Sequence, residues 1–131
     1  MSEADKRERR KPDMRRQRGL AAESEAAAYL SRIGYVVSER NWRCRSGELD
    51  LIAADGDTIV IVEVRSRTAG GRFGTAVEAV TPRKQAQVRA TAQVYLRFAG
   101  KEGMRTRFDV VAVTFDRSGG LEALRHLQGA F

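Results

Sequence analysis

The sequence predicts an α/β domain, a mixed β-sheet with helices on its faces. Three observations predict it. Residues 47–67 read as two strands joined by a tight turn at Gly56-Asp57, and Thr81-Pro82 opens a strong helical pattern. Val110-Val111-Ala112-Val113-Thr114-Phe115 is a continuous apolar run of the kind that fills a central, two-sided strand. In chain order the pattern is helix, strand, hairpin, helix, strand, which suits a sheet covered on both faces.

At 131 residues and 42% hydrophobic composition, the chain is long enough for one domain with a real core. No apolar run approaches the roughly 18 residues of a membrane span. The charged start has no apolar stretch behind it, as a secretory signal would require. The cytoplasm is therefore the expected compartment, with no membrane partner. Cys44 is the only cysteine, which excludes an intramolecular disulfide and any Cys-rich zinc site. Net charge is +7, and residues 1–18 supply +4 of it through eight Lys/Arg against four acids. A basic arm on a mildly basic domain suits a polyanion partner, most often nucleic acid. A solvated tail without a ligand accounts for the same charge equally well.

Residues 1–18 almost lack apolar side chains and include Pro12, which reads as a disordered arm ahead of a single domain over 19–131. A helix follows from Leu20 to about Ile33, stopped by Gly34, with Ala22, Ala26, Tyr29, Leu30 and Ile33 as its apolar stripe. Glu23 and Glu25 flank that stripe on opposite edges, so periodicity leaves open which of them, if either, faces the hairpin, and a solvated helix edge is the commoner place for a single glutamate. Tyr35-Val36-Val37 begins a strand running toward Trp42. Arg40, Arg43 and Arg45 surround that tryptophan, a mixture that can stack on bases and hold phosphates, while a lone tryptophan is more often a core or edge packing residue.

Side chains alternate along a strand. Leu49, Leu51 and Ala53 therefore share one face of the first hairpin strand, and Glu48, Asp50 and Ile52 the other. In the second, Val60, Val62 and Val64 share a face opposite Ile59, Ile61, Glu63 and Arg65. With Gly56-Asp57 as a two-residue type II′ loop, Asp55 faces Thr58. Counting outward puts Asp50 opposite Glu63 and Glu48 opposite Arg65. Two carboxylates side by side need compensation. A shared proton, the Arg65 guanidinium or a divalent cation with oxygen ligands would supply it. Register alone leaves an ion-paired solvated face and a metal site equally open. Thr68 to Thr75 then forms a loop whose Gly70, Gly71 and Gly74 match neither a P-loop nor a dinucleotide fingerprint.

The second helix starts at the Thr81 N-cap with Pro82 in its first turn and runs to about Phe98. Val88, Ala92, Tyr95, Leu96 and Ala99 face inward, and Gln85 continues that stripe one turn earlier. A buried amide needs partners, which makes Gln85 either a hydrogen bond to the sheet or a ligand for substrate or water. Arg83, Lys84 and Arg89 cover nearby faces as candidate backbone contacts to nucleic acid. Asp109 stands at the start of the last apolar run, as a structural cap or a helper near the site. After residues 116–120, Leu121, Leu124 and Leu127 read as a short amphipathic turn. His126, the only histidine, reads as exposed and inert, which sets histidine chemistry aside.

Several motifs together resemble one family. They are Gly19 with Ala22-Glu23, Tyr29-Leu30, Gly34-Tyr35, Asn41-Trp42-Arg43-Cys44 and Gly47-Glu48-Leu49-Asp50-Leu51-Ile52-Ala53, followed by Val62-Glu63-Val64-Arg65, Phe73-Gly74, Lys84-Gln85 and Arg107-Phe108-Asp109-Val110-Val111. Over about residues 19–116 these resemble the YraN-like family of small bacterial proteins. That family is placed in the restriction-endonuclease-like superfamily with the PD-(D/E)XK signature, near archaeal Holliday junction resolvases. The resemblance implies a restriction-endonuclease-like mixed central sheet flanked by helices, and a DNA endonuclease site using Mg2+ or Mn2+ on branched DNA. Asp50, Glu63 and Arg65 fall on the motif; Glu23 matches the helical acid of the resolvase-like branch, and Gln85 the glutamine of related nucleases. By that resemblance Glu23, Asp50, Glu63 and the Val64 carbonyl hold the metal, while Arg40, Arg43, Arg83 and Lys84 contact the nucleic acid. Junction resolvases act as dimers, which makes a homodimer the implied assembly.

One position departs from the motif. The usual final lysine is Arg65, and arginine stays protonated where lysine can exchange a proton. Arg65 suits a clamp on the scissile phosphate and is a poor general base. The motif is thus compatible with a working nuclease and with a degenerate nucleic-acid-binding protein.

Overall fold

The structure, a computed structural model, describes residues 14–70 and 80–131. The arm up to residue 13 and residues 71–75 of the glycine-containing loop lie outside the described residues. Among the described residues five strands lie side by side in chain order: β1 (Val36–Cys44), β2 (Gly47–Asp55), β3 (Thr58–Thr68), β4 (Thr106–Phe115) and β5 (Leu121–Leu127). Neighbours are antiparallel except β3 and β4, which run parallel. A parallel pair needs a crossover, and helix α2 (Pro82–Phe98) lies within it. Helix α1 (Met14–Arg32) precedes the sheet.

Strand alternation sends the apolar side chains to two faces, and each face has its helix. Ala22, Ala26, Ala27 and Leu30 of α1 pack on Leu51, Ala53, Val60, Val62, Val111 and Val113. On the opposite face Val88, Ala92, Tyr95 and Leu96 of α2 pack on Ile52, Ile59, Ile61 and Phe108. This is the helix-flanked mixed sheet of a restriction-endonuclease-like α/β fold. Among the described residues no helix is long and apolar enough to cross a membrane.

Helices α1 and α2 stop in the same way. Gly34 adopts φ 95°, its N–H reaches Ser31 and that of Tyr35 reaches Leu30. Gly100, at φ 67°, bonds to Arg97 and Lys101 bonds to Leu96. This paired reach back over a left-handed glycine satisfies the last carbonyls of a helix. At the start of α2 the Thr81 hydroxyl accepts the Lys84 N–H at 3.1 Å, as the sequence predicts.

Several expectations need correction. Helix α1 begins at Met14, not Leu20, so residues 14–18 belong to the domain rather than to the arm. Arg18 Nη1 donates to Thr68 Oγ1 at 2.8 Å, a polar anchor on β3 that apolar periodicity does not reveal. Ile33 leaves the stripe and is 45% exposed, because the chain turns away at Gly34; Ala27 is buried instead. Leu49 joins the α2 side rather than Leu51. Its cross-strand partner Trp42 makes ring contacts with Tyr95 and Phe98 of α2, which draws this end of β2 toward that helix.

Leu121 to Leu127 is strand β5 rather than an amphipathic turn. A tight loop closed by Asp116 N–H to Gly120 O returns the chain onto β4. An irregularity between Thr114 and Phe115 absorbs the change of register. His126 is not exposed, since only 5% of its side chain is accessible. Its Nε2 meets Asp109 Oδ2 at 2.7 Å and its Nδ1 meets the Tyr29 hydroxyl at 3.0 Å. Asp109 also accepts from Arg107 at 2.8 and 2.9 Å and from the Gly129 N–H at 3.0 Å. Along β4 it alternates with Val111 and Val113 toward α1, whereas Glu63 alternates with Ile61 toward α2. Asp109 is therefore a structural tie and not a helper at the hairpin.

Candidate active site

The β2–β3 turn has the predicted form. Gly56 has φ 58°, and Asp55 pairs with Thr58. The ladder then runs to Leu51–Val62, and one step further Asp50 and Glu63 stand opposite each other. Here side chains replace the strand-to-strand bonds. Val64 N–H donates to Asp50 Oδ2 at 2.8 Å, and Asp50 N–H donates to Glu63 Oε2 at 3.4 Å. Each carboxylate is thus held by the backbone of the strand across from it.

Glu63 is 3% exposed, and the other buried acid among the described residues, Asp109, is fully bonded. Burial pushes the Glu63 carboxyl above its ordinary value, and the Asp50 charge pushes it further. Burial raises Asp50 as well, with Glu23 and Glu48 adding to the effect against the Val64 N–H and Lys84. Like charges brought together out of water favour a shared proton or a shared cation.

The remaining predicted residues divide into those at the pair and those away from it. Glu23 projects from α1 near enough to raise Asp50, and its Oε2 is buried with no hydrogen-bond partner among the described residues. Lys84 reaches in from α2, with Nζ 3.7 Å from Glu63 Oε1. Arg65 lies two residues along β3 from Glu63, and its charge counts among those that lower Glu63. Glu48, counted opposite Arg65 along the strands, has a partner on its other side. It pairs with its β1 neighbour Arg43 at 3.5 Å, because the β1–β2 ladder sets those two directly opposite. Gln85 donates to the Val80 carbonyl at 3.1 Å, a bond within its own helix start and not to the sheet. Arg40 bonds to Ser24 of α1 at 2.9 Å, and Arg83 is exposed. Trp42 packs on α2, the commoner role of a lone tryptophan.

An open polar cleft of about 580 Å³ adjoins Glu23, lined by Arg16, Asn41, Arg43 and Glu48 among others. Among the described residues no three His, Cys, Asp or Glu side chains form a ready-made metal cluster. The pair still fits a hard cation by its chemistry: buried carboxylate oxygens that ionise reluctantly, beside an unpartnered oxygen of Glu23.

The direct Lys84–Glu63 pair is the contact that sequence reasoning missed, having placed Lys84 only among phosphate contacts. A signal existed. Lys84 precedes buried Val88 by four residues, which sets both on one helix face, and strand alternation turns Glu63 to the same side.

Residues 22–113, which carry Glu23, Asp50, Glu63, Arg65, Lys84 and Gln85, match a family model described as Uncharacterised protein family UPF0102. A UPF0102 protein of Pelotomaculum thermopropionicum is 47% identical over 119 residues, covering 91% of this chain and 98% of its own. Another, from Moorella thermoacetica, is 45% identical over 117 residues, with coverages of 89% and 97%. A third, from Nitrosococcus oceani, is 43% identical over 122 residues, with coverages of 92% and 96%. The motifs, the fold and these matches agree: the chain belongs to the UPF0102, or YraN-like, family.

Proposed function

We propose that this protein is a Mg2+- or Mn2+-dependent DNA endonuclease of the PD-(D/E)XK type, acting in the cytoplasm on branched DNA as a homodimer. The observation that carries the reading is the buried Asp50–Glu63 pair, whose raised pKa values and mutual repulsion call for a cation. Asp50, Glu63 and the Val64 carbonyl would hold the ion, with Glu23 offering its unpartnered oxygen. When bound, a divalent ion lowers the pKa of a water and offsets charge developing on the phosphate.

The rest of the chemistry falls to the chain's own groups. Backbone N–H groups of Val64 and Asp50 fix the two carboxylates in orientation. Arg65 clamps the phosphate, since a guanidinium keeps its charge at any working pH. Gln85 orients the attacking water or the DNA backbone. Arg40, Arg43, Arg83 and Lys84 add phosphate contacts whose affinity falls as salt rises.

Two measurements test this. Manganese at about 100 times its Kd should stabilise the wild type by about 2.7 kcal/mol and leave Asp50→Ala unmoved in thermal melts. An unmoved wild type ends the metal reading. Branched, flapped and single-stranded DNA are then incubated with manganese and the wild type, Asp50→Ala and Arg65→Lys. Cutting by the wild type but not by Asp50→Ala is the expected result. Cutting by Arg65→Lys alone makes the natural protein a degenerate nuclease that binds without turnover, the reading Arg65 favours. Cutting by neither removes the enzymatic claim.

A further inference from the structure

Lys84 is held in place by three bonds around the first turn of α2. Its own N–H is capped by Thr81 at 3.1 Å, Gln85 ties the turn to Val80 at 3.1 Å, and Gln87 reaches Ser46 O on the β1–β2 turn at 3.2 Å. The backbone is therefore fixed, while the side chain is 37% accessible and Glu63 only 4%. At 3.7 Å the contact is longer than the roughly 2.7–2.9 Å of a charge-assisted hydrogen bond, so the ammonium is loosely held. Its charge lowers both Asp50 and Glu63, and acts on Glu63 ahead of the charge of Arg65. A compact charge on a flexible four-carbon stem can change partners with little rearrangement; a planar guanidinium cannot.

We propose that Lys84 is an exchangeable counter-cation: without metal its ammonium neutralises Glu63, and when a divalent ion takes the carboxylate oxygens it turns to the substrate phosphate beside them. Resting on the metal-dependent reading above, this assigns to one residue the coupling between metal and DNA. Two consequences of opposite sign follow. A cation that competes for Glu63 weakens metal binding, so removing it tightens metal binding. The same removal takes away a phosphate contact, so it weakens DNA binding.

Lys84→Met keeps the stem and deletes the charge. Mn2+ is titrated calorimetrically into the wild type and the variant, and a four-way DNA junction is bound in Ca2+, with Arg83→Met as a neighbouring control. Mn2+ affinity should rise about three- to tenfold in Lys84→Met, while junction affinity falls about tenfold and further than in Arg83→Met. Equal or weaker Mn2+ binding by a folded variant overturns the exchange while leaving the metal site standing. An unchanged junction affinity overturns it too, since the lysine then competes with metal and touches no phosphate. A wild type that takes up no Mn2+ ends the metal reading and this inference together. If Lys84→Met does not fold, Lys84→Gln repeats both titrations with an uncharged polar side chain.

Discussion

Asp50 and Glu63 ionise reluctantly, and that reluctance has a direction in pH. Burial raises Asp50 to about 6 and Glu63 to about 7. A carboxyl whose folded pKa lies above its unfolded one favours the folded state while protonated, and loses that advantage as pH rises through the folded value. For Glu63 the effect is on the order of 3 kcal/mol. Without divalent ions, the melting temperature should therefore fall as pH rises from about 5 to about 8. Manganese should reverse the fall and Glu63→Gln should flatten it. A melting temperature that rises over the same interval would contradict the burial of the pair. Arg65 is the other residue on which much depends, because its fixed charge can hold a phosphate but cannot pass on a proton.

At the scale of elements, α2 is docked onto the β1–β2 turn through Gln87, and Gly47 makes room for it. A Cβ at Gly47 would collide with the Gln87 amide, and the φ of 142° is one that L side chains rarely adopt. Gly47→Ala should cost about 1–3 kcal/mol in denaturant melts, from the strained backbone and from the Gln87 amide displaced off Ser46 O. The companion variant Gly19→Ala, where nothing lies within 4 Å, should fold normally.

The elements legible in the sequence were those with local signals. The Gly56 turn fixed the hairpin register, and Thr81-Pro82 fixed the start of α2. The leucines of β5 recur every three residues, a helix-like spacing, and only the open edge of β4 decides that they pair as a strand. The buried place of His126 follows from that pairing, and nothing near it in sequence announces Asp109 or Tyr29. Asp50 and Glu63 could be found by counting along strands, whereas the Lys84 contact depends on how α2 packs.

At the scale of the whole molecule, one polar network ties the far end of the sheet together. Arg107 on β4 bonds to Asp109, to the Tyr35 hydroxyl at 2.7 Å and to Asp55 at 3.3 Å. His126 then links β5 through Tyr29 to α1. Burial pushes the Asp109 carboxyl up, but Arg107, the Gly129 N–H and His126 together hold it below the ordinary range. A lowered carboxyl contributes stability above its unfolded pKa and loses it as pH falls, opposite in sign to Glu63. Asp109→Ala should therefore destabilise the fold by about 3 kcal/mol at neutral pH and by less in acid. The loss should appear in denaturant melts whether or not manganese is present, because this network and the hairpin pair lie on opposite faces of the sheet.

At the open end of the hairpin, two backbone amides are bonded to carboxylate oxygens instead of strand carbonyls. Amide protons exchange with solvent at rates that such bonds control. Whatever binds those carboxylates draws on the electron density that the Asp50 and Val64 amides share, one on each strand. The main chain thus carries its own record of what sits between the two side chains, legible by hydrogen exchange even when nothing is turned over.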